Sequence, residues 1–273
     1  MSDIFLSAGV RSNLLQLQQT SDLINQTENR LASGKKVNSA LDNAINFFTA
    51  QGLDTRANSL NGLLDSMSSG INTIQAANNG ITSITKLVQS AQALVSQAQQ
   101  ANNTTTQAAL ATQFNSLLTQ IGQLAGDSGF NGVNLLGGNT LTVTLNESGS
   151  STTTVTGVNY TNANNAPLSI ANAANNWAGA SDITAASTAL SAALTSLQSQ
   201  SQTLSASLST VQIRQEFTKA TINTLQTGSA DLTLADSNAE GANLLALQTR
   251  QQLSSTALSL AAQADQNVLR LFR

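Results

Sequence analysis

The chain has 273 residues and a formal net charge of −3, and it contains no histidine and no cysteine. It therefore lacks the usual general base, metal ligand and thiolate nucleophile, so neither an enzyme nor a cofactor-binding protein is expected. With 9% charged and 3% aromatic residues, it has neither the basic patch nor the stacking surface of a nucleic-acid binder. A surface so poor in charge resists self-association only weakly.

The N-terminal segment carries an apolar stripe at coiled-coil spacing, with breaks at Ser21 and Glu28. Its members are Val10, Leu14, Leu17, Ile24 and Leu31. The first ten residues have no basic start followed by an apolar run, so no cleaved secretory signal is expected. No stretch is apolar for long enough to predict a membrane span.

The longest periodic signal runs from Leu53 to Ala98 with an average step of 3.5 residues, interrupted by one extra step of three. This period predicts a coiled-coil helix roughly 70 Å long, at about 1.5 Å per residue. Gly62, Gly70 and Gly80 each weaken it by about 1 kcal/mol relative to alanine. Such a helix is expected to be stable only when other helices pack against it.

Two further apolar stripes supply those partners, and together the three predict a helical bundle. The first lies between Leu110 and Leu124. The second lies between Leu190 and Leu225, with polar gaps at Ser201, Gln215 and Thr218.

The middle of the chain has a different pattern. Leu141, Val143 and Leu145 alternate with threonines, the segment 146–150 is typical of a turn, and 152–158 is rich in β-branched residues. This pattern predicts a β-hairpin. The small, polar segment 159–180 predicts an exposed loop.

The C-terminal segment again has a heptad stripe, which continues to the last residues. Its members are Leu253, Ala257, Leu260, Ala264, Val268 and Leu271. Chain ends normally fray in water, so the two terminal stripes are interpreted as surfaces that another copy or another helix buries. The fold class predicted is mainly α: a long coiled-coil bundle with a small β-hairpin region.

Several motifs resemble those of the bacterial flagellins. Arg30-Leu-Ala-Ser-Gly34 followed by Val37-Asn-Ser-Ala-Leu-Asp-Asn-Ala44 is similar to the N-terminal family signature, and Ser128-Gly-Phe-Asn-Gly-Val-Asn-Leu-Leu136 to the segment before the family's hairpin. Leu244–Leu253 and Gln263–Arg273 resemble the family's C-terminus, with a Leu-Phe-Arg ending like that of alphaproteobacterial members. Ser39 and Asp42 also have capping-box spacing, which predicts that a helix begins there. The signature residues are Arg30, Leu31, Ser33, Gly34, Asn38, Ser39 and Asp42.

The resemblance implies a structural subunit that self-assembles into the flagellar filament for swimming motility. It also implies paired N- and C-terminal helices: residues 1–40 with 231–273 would form an inner terminal coiled coil, and 41–230 an outer bundle that includes the hairpin and loop region at about 133–180. The chain would be exported unfolded through the flagellar channel and become extracellular. Its partners would be further copies of itself, the export apparatus, an export chaperone, and the cap and hook-junction proteins.

One departure from the family concerns immune recognition. Members detected by the innate immune flagellin receptor carry an Arg-x-Arg-Glu-Leu patch on the first long helix, where this chain has Ser90, Gln92 and Ala93 at the Arg, Arg and Glu positions. Charge-assisted contacts would be lost, so the chain is expected to evade that receptor.

Three other functions are alternatives to that of a flagellar filament subunit. A hook–filament junction protein has similar termini but usually departs from the signature at 30–44. A coiled-coil adaptor or membrane-surface module would show basic residues along one helix face. An enzyme would have to use scattered carboxylates, and nothing places two of them as an acid–base pair.

Overall fold

A computed structural model describes residues 8–271, with the side chains of 265 and 268–271 left out. The elements are α1 (Ala8–Ser33), α2 (Ala44–Gln100), α3 (Thr104–Asp127), β1 (Thr140–Thr144), β2 (Thr152–Thr156), a 3₁₀ turn (Ala174–Trp177), α4 (Ala180–Thr233) and α5 (Ser237–Leu271). The predicted mainly α fold with one small hairpin is confirmed. None of the helices described in residues 8–271 is long and apolar enough to cross a membrane.

The chain divides into two compact units. One consists of Met1–Thr55 with Thr224–Arg273, and the other of Arg56–Asn223. The division expected from the sequence, 1–40 with 231–273 against 41–230, stays a prediction.

The unit Arg56–Asn223 buries the apolar stripes that the sequence predicts. On α2 the fully buried side chains are Ala57, Leu60, Met67, Ile74, Ala77, Ile81, Ile84, Val88, Ala91, Val95 and Ala98. The polar gaps on α4 pair with α2: Ser201 donates a hydrogen bond to Asn78 Oδ1 at 3.4 Å, and Gln215 donates to Ser68 Oγ at 2.8 Å. The polar side chains at these gaps therefore form hydrogen bonds with polar groups of α2 at the interface, and they do not interrupt the packing of the two helices.

The β-hairpin forms where the sequence predicts it. β1 and β2 are antiparallel, with Leu141 opposite Val155 and Val143 opposite Thr153. Val143 and Val155 are buried, and Val143 lies over Gly70 of α2, where a Cβ atom would be 2.6 Å from its Cγ2. The glycine that weakens the helix thus lets the hairpin approach it.

The prediction of an exposed loop at 159–180 is right for most of its residues and wrong for the large side chains. The segment is mostly irregular, but its few large side chains are buried: Tyr160, Leu168, Ile170 and Trp177. Trp177 packs on Phe114 of α3 with ring centroids 4.9 Å apart. Because most residues of the segment are small and polar, its composition did not predict these buried side chains.

The predicted helix start at Ser39 is also wrong, because α2 begins at Ala44. Asn43 caps it, accepting a hydrogen bond from the backbone N–H of Asn46 at 3.0 Å. Asp42 does reach back to the N–H of Ser39 at 2.9 Å, but these residues form a turn ahead of the helix.

Candidate assembly surface

The terminal helices α1 and α5 pack against each other, which confirms the predicted pairing. The face of α1 that is covered contains Val10, Thr20, Ile24 and Thr27. Two of these are threonines, and Thr20 satisfies its hydroxyl within the helix by donating to Gln16 O at 2.8 Å. The seam on α1 is therefore narrow and only partly apolar.

Helix α5 carries two stripes with the same period. The half-buried stripe consists of Leu244, Leu247, Gln251, Ser254, Leu258 and Ala261. The contact between α1 and α5 covers this stripe, which was not predicted although its steps of three and four are visible in the sequence. The predicted stripe lies elsewhere on the helix: Leu253 is 67% exposed and Leu260 is 65% exposed.

The other predicted assembly residues divide between the two environments. Val10 and Ile24 are buried, Leu17 is half-buried, and Leu14 and Leu31 are just over one-third exposed. Ala257 and Ala264 are exposed. Val268 and Leu271 lie outside the residues whose side chains are described.

Further leucines that sequence reasoning missed are exposed on the same two helices. Leu15 and Leu23 of α1 are 59% and 44% exposed, and Leu245 of α5 is 68% exposed. Leu23 and Leu253 face a common groove of about 570 Å³ between α1 and α5. A pair of helices that has already covered one apolar stripe thus keeps a second one open to solvent.

The groove also contains the ion pair of the terminal unit. Arg30 Nη1 lies 3.2 Å from Glu240 Oε1, with the arginine side chain 34% exposed and the glutamate 11% exposed. Glu240 is in the first turn of α5, where a negative charge interacts favourably with the helix dipole. The pair fixes the end of α1 beside the beginning of α5.

The signature turn holds α1 to the connection between α4 and α5. Gly34 follows α1 at φ +68°, a conformation that glycine adopts without strain. Its carbonyl accepts a hydrogen bond from Ala235 N at 3.0 Å, and Thr233 O accepts from Lys36 N at 2.8 Å. Lys36 Nζ donates to Asp231 O at 2.8 Å. The turn thus clamps together residues that are 195 positions apart in sequence.

Asp42 organises the second half of the signature. Its Oδ2 accepts hydrogen bonds from the backbone N–H groups of Ser39 and Asn38 at 2.9 and 3.0 Å. These two donors, Ser39 first, lower the pKa of the carboxyl from its usual 3.8. The turn leaves Leu41 97% exposed, so it presents an apolar side chain to solvent.

The three substituted positions of the immune-receptor segment lie on α2. Ser90 and Ala93 are exposed and Gln92 is half-buried. Ser90 donates its hydroxyl hydrogen bond to Lys86 O at 3.0 Å, so it is engaged with its own helix. No group of metal-ligating side chains occurs among the residues that the structure describes.

Paired terminal helices with an uncovered apolar stripe, joined to a bundle with little surface charge, define a structural protein of the self-assembling coiled-coil class. Comparison with known proteins identifies the family. Residues 9–140 match the helical N-terminal region of bacterial flagellin and residues 187–272 match its helical C-terminal region. The chain is 32% identical to flagellin FljO of Caulobacter vibrioides and 33% identical to flagellins FljM and FljK, over 100% of this chain and 99% of each relative.

The chain therefore belongs to the bacterial flagellins. It is a structural subunit of the flagellar filament, and it assembles with further copies of itself into an extracellular polymer. The relatives are consistent with the alphaproteobacterial type that the sequence resembles. The matches favour the filament subunit over the junction protein.

Proposed function

We propose that the subunit polymerises through the α1–α5 pair, with residues 1–40 and 231–273 forming the inner layer of the filament and 41–230 the outer layer. The observation that carries this proposal is the uncovered stripe on the paired helices. Leu253 and Leu260 of the predicted set remain about two-thirds exposed although α5 already has a partner.

The exposed leucines supply part of the free energy for association. Full burial of a leucine contributes about 1.5–3 kcal/mol, so covering one that is about half exposed contributes about 1 kcal/mol. Five such side chains lie on the two helices: Leu15, Leu23, Leu245, Leu253 and Leu260. Neighbouring copies that cover them would gain several kcal/mol per subunit, before the cost of ordering.

The buried members of the predicted set have a different role in this proposal. Val10 and Ile24 hold α1 on α5, and the Arg30–Glu240 pair fixes the register of the two helices. Together they hold the two helices in a fixed arrangement, in which Leu23 and Leu253 face one groove, because most of the stability of a helix in a protein comes from its packing.

The proposal includes export of the chain as an unfolded polypeptide through the flagellar channel, with an export chaperone, the filament cap and the hook-junction proteins as partners. The composition supports this, since a chain without cysteine forms no disulfide that would obstruct threading. No enzymatic activity, metal or organic cofactor is part of the proposed role.

Seeded polymerisation tests the proposal. Purified monomer is mixed with short filament fragments and elongation is followed by electron microscopy, beside a truncation lacking 254–273 and the variant Leu253→Gln/Leu260→Gln. Both variants are expected to elongate seeds at least tenfold more slowly, since a loss of about 1.4 kcal/mol corresponds to a factor of ten.

The variant Gln252→Ala, at an exposed neighbouring position, is the matched control and should elongate normally. Because Leu253 and Leu260 are exposed, their substitution should leave the circular dichroism of the monomer unchanged. Normal elongation by the double leucine variant would contradict the proposed surface.

A further inference from the structure

The unit Arg56–Asn223 has an apolar stripe on α4 that its own core does not use. The core-facing side of this helix includes Leu204, Val211 and Thr218, which are buried. A second set at steps of four, three and four, all of them exposed, consists of Ala206, Thr210, Ile213 and Phe217. We call this second set the ridge.

The ridge is unusual for its exposed aromatic and branched side chains. Ile213 is 62% exposed and Phe217 is 63% exposed, although a single turn of helix separates them. Contiguous exposed apolar side chains mark interaction surfaces on soluble proteins. An apolar face of a helix is expected to be buried against another surface. A helix with two apolar faces is therefore expected to have two such surfaces against it.

A groove elsewhere on the same unit contains one exposed aromatic side chain among polar ones. It has a volume of about 470 Å³ and is lined by Asp65, Ser68, Ser69, Asn72, Phe130 and Asn131. Phe130 is 39% exposed. Within Arg56–Asn223, which the structure describes in full, the exposed large hydrophobic side chains are Ile213, Phe217 and Phe130. All of them thus belong to the ridge or to the groove.

The wall of the groove is preformed. Phe130 and Val133 exchange backbone hydrogen bonds of 2.9 and 3.0 Å, and Asn131 and Gly132 between them have φ of +49° and +79°. Two successive positive φ values are typical of the tight type I′ turn. A rigid turn holds the aromatic side chain at the groove without a further entropic cost on binding.

Ridge and groove lie at the same level of the bundle and face different directions. Gln215, which lies between Ile213 and Phe217 in sequence, donates a hydrogen bond at 2.8 Å to Ser68 of the groove lining. Residues two apart on a helix point about 160° from each other, so the ridge points away from α2. One copy therefore cannot fill its own groove with its own ridge.

The ridge is flanked by two opposite charges, and the groove contains one. Arg214 and Glu216 are both exposed beside the ridge, and Asp65 lines the groove. Because residues two apart on a helix point about 160° from each other, a contact that brings Arg214 to Asp65 keeps Glu216 away from it. Two different surfaces that fit each other produce a heterologous, head-to-tail contact, and such contacts generate open helical polymers.

We propose that the ridge of one subunit occupies the groove of a second copy, so that Ile213 and Phe217 pack against Phe130 and Arg214 lies near Asp65. This contact joins the outer units of laterally neighbouring subunits. The inference rests on the proposed filament assembly and assigns to it a second, specific interface.

Disulfide cross-linking tests the contact directly, because the natural chain has no cysteine. Phe217→Cys and Asn131→Cys subunits are co-assembled in equal amounts on wild-type seeds and treated with a mild oxidant. Disulfide-linked dimers are expected in filaments of the mixture, and not in filaments of either variant alone. The matched control replaces Phe217→Cys with Gln212→Cys, an exposed position at the same level but on another side of α4.

Charge reversal provides a second readout that does not depend on cysteine substitution. Arg214→Glu or Asp65→Arg alone should slow elongation about three- to tenfold, whereas Arg214→Glu/Asp65→Arg in one chain should recover to within about twofold of the wild-type rate. Every interface then contains the reversed pair, so recovery requires that these two positions meet.

Filaments that form without dimers in the mixture, or with equal dimers in the control, overturn the ridge-and-groove contact and leave the proposed terminal assembly intact. Failure of the double reversal to recover also overturns it. If wild-type monomer does not elongate seeds at all, the proposed function fails, and this contact fails with it.

Discussion

Two glycines of α2 lie in opposite environments, although the sequence assigns both the same cost. At Gly62 an added Cβ atom would meet nothing within 4 Å. At Gly80 it would collide with Ser128 Oγ and would lie 2.7 Å from Leu136 Cδ1. Alanine substitution at the two positions is therefore expected to change the free energy of unfolding in opposite directions.

The magnitudes follow from two terms. Both substitutions gain the helix propensity of alanine, about 1 kcal/mol. Only Gly80→Ala adds a collision with buried side chains, and overpacking a core typically costs about 1–3 kcal/mol. Ser128 is unable to rotate away freely, because its hydroxyl donates a hydrogen bond to Leu124 O at 2.6 Å. We expect Gly62→Ala to stabilise by about 1 kcal/mol and Gly80→Ala to destabilise by up to about 2 kcal/mol.

Urea unfolding of the full-length monomer, followed by far-ultraviolet circular dichroism, measures both variants against the wild type. The difference between the two variants cancels the propensity term and leaves the overpacking cost. In a thermal scan, 1 kcal/mol corresponds to about 2–4 °C for a chain of this size class. The reasoning is refuted if Gly80→Ala stabilises the protein as much as Gly62→Ala.

Three further predictions concern other parts of the chain. The lowered pKa of Asp42 means that its stabilisation of the signature turn is present above the unfolded pKa and is lost as pH falls through the lower folded value. An NMR titration of the Ser39 amide should therefore have a midpoint below 3.8, and Asp42→Asn should abolish that transition. Trp177 has a buried indole N–H that finds no acceptor among the described residues; Trp177→Phe should change stability by less than about 1.5 kcal/mol, whereas Trp177→Ala should lose about 3–5 kcal/mol in denaturant unfolding. Depolymerised protein should activate flagellin-receptor reporter cells less than a flagellin with the charged patch at the positions of 90–93; equal potency would contradict the predicted evasion.

The long helices were predictable because their signal is local and repeated. The stripe from Leu53 to Ala98 places an apolar residue on one face of the helix at every turn. In the hairpin strands, apolar and polar residues alternate with a period of two. Each of these periods is a direct consequence of backbone geometry.

Helix boundaries and the irregular segment were harder to predict. Capping-box spacing at Ser39 and Asp42 did not show that Asn43 would cap the helix. The segment 159–180 was assigned to solvent by composition, yet Trp177 and Tyr160 are buried. A few large side chains in a small polar segment find their partners on helices distant in sequence, which local composition does not reveal.

The terminal helix α5 shows most clearly which features the sequence determines and which depend on the tertiary structure. Its sequence determines that two apolar stripes exist, since both have coiled-coil spacing. Only the position of α1 decides that Leu247 and Leu258 are half-buried while Leu253 and Leu260 stay in solvent. The same is true of Gly80 and of the ridge at Ile213 and Phe217. Periodicity fixes which residues share a face, whereas the packing of distant elements decides which of those faces the chain itself covers and which it leaves exposed.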